Sequence, residues 1–445
     1  MDFDLSQAGG KSKFAVTKGA IEVPGVFEDP VVMLDALSAD LQWQVNGEAI
    51  STTVSNLKFS NADAQGDGQA TWRTGEGAAR FPGVLDLQAS ISRANGARVY
   101  RYLPLGVPKS ARDYVRESVL QGAASGAKFR VRGNLKDFPF ADPKLGEFRV
   151  TADVRNVTYA YVPRSAVTGT ATWPALTQLS GELLFLGNGM QVKNAVGQFV
   201  GSPGLQVKAQ AQIPDFGTTT VAVTGEVRGP LAQSLGVVNT SPLAAMTNHA
   251  LAKATATGSA DLRLRLDLPI ATLEKSKVQG SVTLAGNDIQ ITPDSPLLSR
   301  SRGAVTFNER GFALVGTQAR ALGGDVRLEG GTRSLPAVSS SGSNEPTMLL
   351  RAQGIATAEG LRQAKEIGFV SRLARDATGS AAYTVTLALR RGEPEIGVAT
   401  NLQGMALNLP APLAKAAEAA LPVRYESALV RESAAATPGS HASLH

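Results

Sequence analysis

Ala260-Asp-Leu-Arg-Leu-Arg-Leu-Asp-Leu-Pro-Ile270 alternates leucine with charge along its whole length. Successive side chains of a strand point to opposite faces. Leu262, Leu264, Leu266 and Leu268 therefore form one apolar row, and Asp261, Arg263, Arg265 and Asp267 form the charged row behind it. Such a strand belongs to a sheet that is wet on one side and apolar on the other.

The pattern recurs outward in both directions. Leu41, Trp43 and Val45 alternate with polar residues, as do Leu85, Leu87, Ala89 and Ile91. Phe129 and Val131 are interleaved with Lys128, Arg130 and Arg132. Phe148, Val150, Ala152 and Val154 follow, and after a shift of phase Val157, Tyr159 and Tyr161. Leu205 to Ile213 runs opposite Gln206, Lys208, Gln210 and Gln212, and Tyr383, Val385, Leu387 and Leu389 close the series. Pairs such as Asn46-Gly47, Asn95-Gly96, Gly286-Asn287 and Gly323-Gly324 suit tight hairpins between these segments. The expected fold is all-β, an antiparallel meander.

Helices are few. Pro108–Gln121 carries Ala111, Tyr114, Val115 and Val119 on one face and is stopped by Gly122. A second helix is expected from Leu231 to about Ala256 with a break at Pro242, and a third over Thr357–Asp376, capped by Thr357. A short alanine-rich helix is expected at Leu413–Ala420. These divide the chain into a β segment over 1–334, a flexible serine-rich loop at 335–346, a second β segment over 347–427 and a disordered tail at 428–445. A long curled sheet around an apolar lumen and a stack of sandwiches both satisfy the alternation.

Composition narrows the chemistry. The 445 residues are 43% apolar, 18% charged and 6% aromatic, with 46 glycines and a net charge of +6 that forms no basic run of the kind that binds nucleic acid. Without cysteine there is no disulfide, thiolate nucleophile or thiolate metal ligand. Of three histidines, His441 and His445 fall in the tail and His249 sits among alanines, so neither a triad nor a histidine metal cluster can be assembled. Gly10-Lys11-Ser12 lacks the earlier glycine of a phosphate loop, which would fall at Leu5. The loop-like Asn61, Asp63 and Gln65 meet Trp72 where a calcium site needs glutamate. No cofactor and no catalytic residue is expected. No apolar run reaches the length of a membrane-spanning helix.

Several phrases in order resemble one family: Phe81-Pro-Gly-Val-Leu-Asp-Leu-Gln-Ala, Tyr100-Arg-Tyr-Leu-Pro, the Pro108–Gln121 segment and Leu135-Lys-Asp-Phe-Pro-Phe. Gly146-Glu-Phe-Arg-Val, Trp173-Pro-Ala-Leu, Gly181-Glu-Leu-Leu-Phe and Asn401-Leu-Gln-Gly-Met-Ala-Leu-Asn-Leu-Pro-Ala-Pro-Leu continue the series. Over about 30–425 the chain is similar to the YhdP-like proteins, within the AsmA-like and TamB-like envelope proteins of Gram-negative bacteria. The resemblance implies a long β-groove that carries phospholipid acyl chains between inner and outer membranes, anchored by an N-terminal membrane helix. No such helix is found here, so the expectation is a periplasmic, internal-to-C-terminal segment, meeting the membrane through that missing anchor or through partner proteins. On this reading the groove is lined by Leu87, Phe129, Val131, Phe148, Val150, Leu262, Leu264, Leu266, Val385 and Leu387. A scaffolding protein with a closed core, and a carbohydrate-active β-protein, are the competing expectations.

Overall fold

The computed structural model describes residues 2–77, 80–166, 171–218, 220–269, 272, 275–332, 347–390 and 393–428. The expected loop at 335–346 and the tail beyond 428 lie outside these residues. The chain divides into two compact units, one of residues 1–225 with 266–276 and one of residues 226–265 with 277–445.

The first unit is an open meander. Its strands are β1 (Asp2–Ser6), β2 (Gly9–Glu22), β3 (Val31–Asn46), β4 (Ala49–Ser60), β5 (Ala64–Arg73), β6 (Val84–Asn95), β7 (Val119–Asn134), β8 (Gly146–Tyr159), β9 (Leu176–Leu186), β10 (Gly189–Phe199) and β11 (Ser202–Ile213). Each pairs antiparallel with the next. β12 (Thr220–Pro230) and β14 (Ser259–Pro269) cross the two boundaries, so each unit holds part of both.

The second unit repeats the scheme with β13 (Thr255–Ala256), β15 (Lys277–Gln290), β16 (Leu298–Asn308), β17 (Gly311–Ala321), β18 (Gly324–Thr332), β19 (Met348–Thr357), β20 (Ala377–Arg390), β21 (Glu393–Thr400), β22 (Met405–Leu407) and β23 (Val423–Ala428). From β15 to β21 the pairing is antiparallel and sequential. β13 adds to β15, β22 to β20 and β23 to β21.

Helices occupy connections at one end of the strands in each unit. In the first, α1 (Lys109–Ser118) lies between β6 and β7, preceded by the 3-10 turn Gly96–Tyr102. A polar clasp holds this insertion to the sheet. Tyr102 Oη donates to Asp63 at 2.9 Å and accepts from Asn61 Nδ2 at 3.0 Å, while Arg101 reaches Asp29 at 2.6 Å. In the second unit, α2 (Leu231–Thr240) and α3 (Leu243–Met246) follow β12, and Leu231 packs on Ala260 and Leu284. α4 (Ala358–Gln363) and α5 (Phe369–Leu373) follow β19, Thr357 caps α4 through Gly360 N–H at 2.9 Å, and Ala358 packs with Ala377, Ala381 and Met405.

Several local expectations are corrected. The helix expected over Pro108–Gln121 ends at Ser118, and β7 begins at the next residue. The one expected from Leu231 to about Ala256 ends at Met246, with Thr255–Ala256 pairing as β13 instead. Gly286-Asn287 is no hairpin but a bulge inside β15, with Gly286 at φ 113°. Its buried Asn287 donates to Thr257 O (2.9 Å) and Ser259 O (3.0 Å) and accepts from Ala285 N–H (3.0 Å), so the amide ties β15 to the start of β14 and to the turn between β13 and β14. Asn95-Gly96 opens the 3-10 turn instead of a hairpin, because the Asn95 side chain caps Ala97 N–H. Residues 413–420 form turns, not a helix. Lys415 bridges to Leu407 and its Nζ donates to Met405 O at 2.6 Å and Ala416 O at 2.9 Å, contacts that hold the segment against β22.

Candidate functional site

Antiparallel register decides whether alternating apolar residues on separate strands form one surface. In the first unit it does. Phe148 stands opposite Val131, Val131 opposite Leu87, Leu87 opposite Ala70, Ala70 opposite Val54 and Val54 opposite Leu41. The neighbouring rung runs Ala89, Phe129, Val150, Phe185, Met190 and Ile213. Five expected lining residues (Leu87, Phe129, Val131, Phe148 and Val150) thus share one patch. At the strand ends the Phe138 ring lies 5.0 Å from the Phe148 ring and extends the patch onto the 135–145 loop.

In the second unit Val385 stands between Ala352 and Val398, and Leu387 between Leu350 and Ile396. Val305 likewise lies between Val282 and Leu314. Leu262 and Leu264 lie on the part of β14 in this unit, and Leu266 on the part belonging to the first; all three are half-buried while Asp261, Arg263 and Arg265 are exposed.

Burial separates an open face from a core. Val131 is buried at 8% exposure, but Leu87, Phe129, Phe148, Val150, Val385 and Leu387 are only half-buried, and Ile396 and Tyr425 on the same face are 42% and 58% exposed. Where helices do meet the sheet, Leu231 of α2 covers Ala260 and Leu284, and Ala358 of α4 covers Ala377 and Ala381.

The reverse face is ionic. Arg130 pairs with Asp86 and lies 3.8 Å from Glu147, and Arg149 is 3.7 Å from Glu147. The Arg130 guanidinium holds the Asp86 carboxyl below its ordinary range. A hollow of about 360 Å³ on this face is lined by Lys128, Arg149, Lys193, Asp153 and Glu182 together with Leu183 and Leu184, a set that mixes both charges with apolar groups. Among the described residues no group of three or more histidines and carboxylates is placed to hold a metal, and no helix is long and apolar enough to cross a membrane.

Sequence reasoning missed two contributors. Leu183 and Phe185 sit in the run Leu183-Leu-Phe-Leu186, where four successive apolar residues hide the period, and only pairing with Ala152 and Val150 assigns them to the apolar face. The second is an aromatic group beside α1. Tyr114 and Tyr159 hydroxyls lie 2.7 Å apart, and Tyr161 meets Trp173 at 6.4 Å. Burial pushes the Tyr161 phenol up to about 12 and, with Tyr114 adding to it, Tyr159 well above its ordinary value.

A family model described as YhdP protein matches residues 1–438. Over 284 residues the chain is 26% identical to the intermembrane phospholipid transporter YhdP of Escherichia coli strain K12, a match that covers 63% of this chain and 21% of that protein. The chain therefore spans about a fifth of the curated relative's length. No solved structure matches it significantly.

Proposed function

This chain belongs to the YhdP family, and we propose that its apolar sheet face is a segment of a non-enzymatic conduit for phospholipids in the periplasm. Acyl chains lie along the ladders of Leu87, Val131 and Phe148 and of Phe129 and Val150 in the first unit. In the second they lie along Val385, Leu387 and their neighbours and along Leu262 and Leu264 of β14, and Leu266 lines the part of β14 in the first unit. Headgroups remain in water.

The observation that carries this reading is the combination of registered apolar ladders with incomplete burial. A closed core with these ladders would hide them; a surface meant for mobile guests leaves them half-exposed until the guest arrives. The energetic case is simple. Two acyl chains hold on the order of thirty methylene groups, and exposing each to water costs about 0.8 kcal/mol. A continuous apolar strip lowers that cost at every step of travel and needs no covalent chemistry.

The test is native mass spectrometry with lipid extraction on the chain purified after periplasmic expression. Several phospholipids per chain are expected. A folded, monodisperse chain carrying none would overturn the conduit reading and favour a scaffold.

A further inference from the structure

Several aromatic side chains of the apolar face stand directly opposite a glycine: Trp43 opposite Gly10, Phe59 opposite Gly66, Phe307 opposite Gly280 and Tyr383 opposite Gly354. Glycine weakens a strand, so its presence there needs a cause. Backbone conformation is not the cause, since none of these four glycines has a positive φ.

The space above two of them gives the cause. The three atoms nearest a Cβ built on Gly280 would all belong to the Phe307 ring: Cζ, and Cε2 and Cε1 at 2.7 and 2.8 Å. On Gly10 it would lie 2.6 and 2.8 Å from Cζ2 and Cη2 of Trp43, besides Asp4 O at 2.6 Å. The Phe307 and Trp43 rings therefore lie over Gly280 and Gly10, along the sheet, in the volume where any other residue carries its side chain. At Gly66 and Gly354 the nearest atoms are instead Ser90 O and Asp325 O. Strand side chains ordinarily stand perpendicular to the sheet.

We infer that Gly280 is a positioning residue for lipid passage: by letting the Phe307 ring lie down, it keeps the space above the apolar face clear for acyl chains. Gly10 does the same for Trp43. The inference rests on the conduit reading, which says what needs the clearance. It also explains how one face can be rich in large rings and remain passable. Ring faces become floor, and ring edges are kept out of the path. A Cβ at Gly280 would force Phe307 to another rotamer, away from the sheet.

The experiment uses the full chain with a photo-crosslinking p-benzoylphenylalanine at Leu314, which faces Val305 across the ladder, and reads the phospholipid adduct by mass spectrometry. Gly280→Val is expected to cut the adduct about tenfold with the circular dichroism spectrum retained, the scale of an overpacking clash. Gly280→Val with Phe307→Ala removes the displaced ring and should restore it. Should Gly280→Val fail to fold, Gly280→Ala and its double variant with Phe307→Ala give the same reading with one methyl. An unchanged adduct in the folded single variant overturns the inference, as does a loss that Phe307→Ala does not repair, or one that comes with a changed circular dichroism spectrum in the single-methyl variant as well. No adduct in the chain with Gly280 intact instead sinks the conduit reading itself.

Discussion

The strands β6 to β9 of the first unit and β18 to β21 of the second follow the same pattern with different volumes. The first fills its ladders with Leu87, Val131, Phe148, Phe129, Val150 and Phe185. The second sets Val385 beside Ala352, Leu387 beside Leu350 and Tyr383 beside Gly354, and places Gly330 opposite Leu350. Protein cores are close-packed, so a closed interior matches volume across facing residues. A surface that receives fluid hydrocarbon needs only unbroken apolarity. The two regions share the second property and not the first, which suits a guest that conforms to its host.

The largest expected effect puts a charge into each region in turn. Val150→Arg should cut the phospholipid carried per chain by half or more, since a guanidinium within the ladder cannot be paired there. Leu387→Arg should do the same on a smaller scale, because the second region offers less apolar volume to lose. Lipid counts by native mass spectrometry and melting curves, measured together, check both. Loss of lipid with a melting temperature moved by only a few degrees fits an open face; outright unfolding of Val150→Arg would mean that the first region is a core, and the comparison would fail.

A middle-sized effect sharpens the contrast within the second unit. Asn287→Ala leaves the carbonyls of Thr257 and Ser259 without their donor and should cost about 1–3 kcal/mol. Hydrogen exchange should show the loss concentrated in β13 to β15, with the β6 to β9 region unaltered.

The last effect is absent at neutral pH and concerns the aromatic group of the first unit. A folded phenol with a raised pKa holds its proton more tightly than the unfolded chain does. The stability it supports is complete below about pH 10 and is lost as pH rises toward about 12. Over that window Tyr161 should account for a decline on the order of 2 kcal/mol, and Tyr161→Phe should flatten the profile in urea titrations followed between pH 9 and 12.

Much of this was legible in the residues because a period of two needs no distant information. Leu262, Leu264 and Leu266 announce their face on their own, and the step from Val154 to Val157 marks the bulge at Asn156 (φ 51°) before any partner strand is known. Leu183 to Leu186 was illegible for the opposite reason: with every position apolar, only register tells which side each takes. Gly286-Asn287 has hairpin composition, yet burial of the Asn287 amide against strands nearly thirty residues away outweighs it. The helix expected over 413–420 lost to lysine bonds with carbonyls of β22 and the turn beside it. What the sequence could not rank was open face against closed core, since both demand identical alternation and differ only in what covers the apolar side.

The bulges have a consequence for how such a chain can change over generations. Deleting one residue from a regular strand turns everything beyond it to the wrong side. β8 carries one residue more than β9 between the pairs Val154–Gly181 and Val157–Leu179, so losing Asn156 would leave both halves of β8 facing as before. β10, with Asn194 at φ 52°, and β17, with Gly316 at φ 58°, carry the same spare residue. These positions work like expansion joints in a track: length can be taken up there, one residue at a time, while the apolar lane stays continuous.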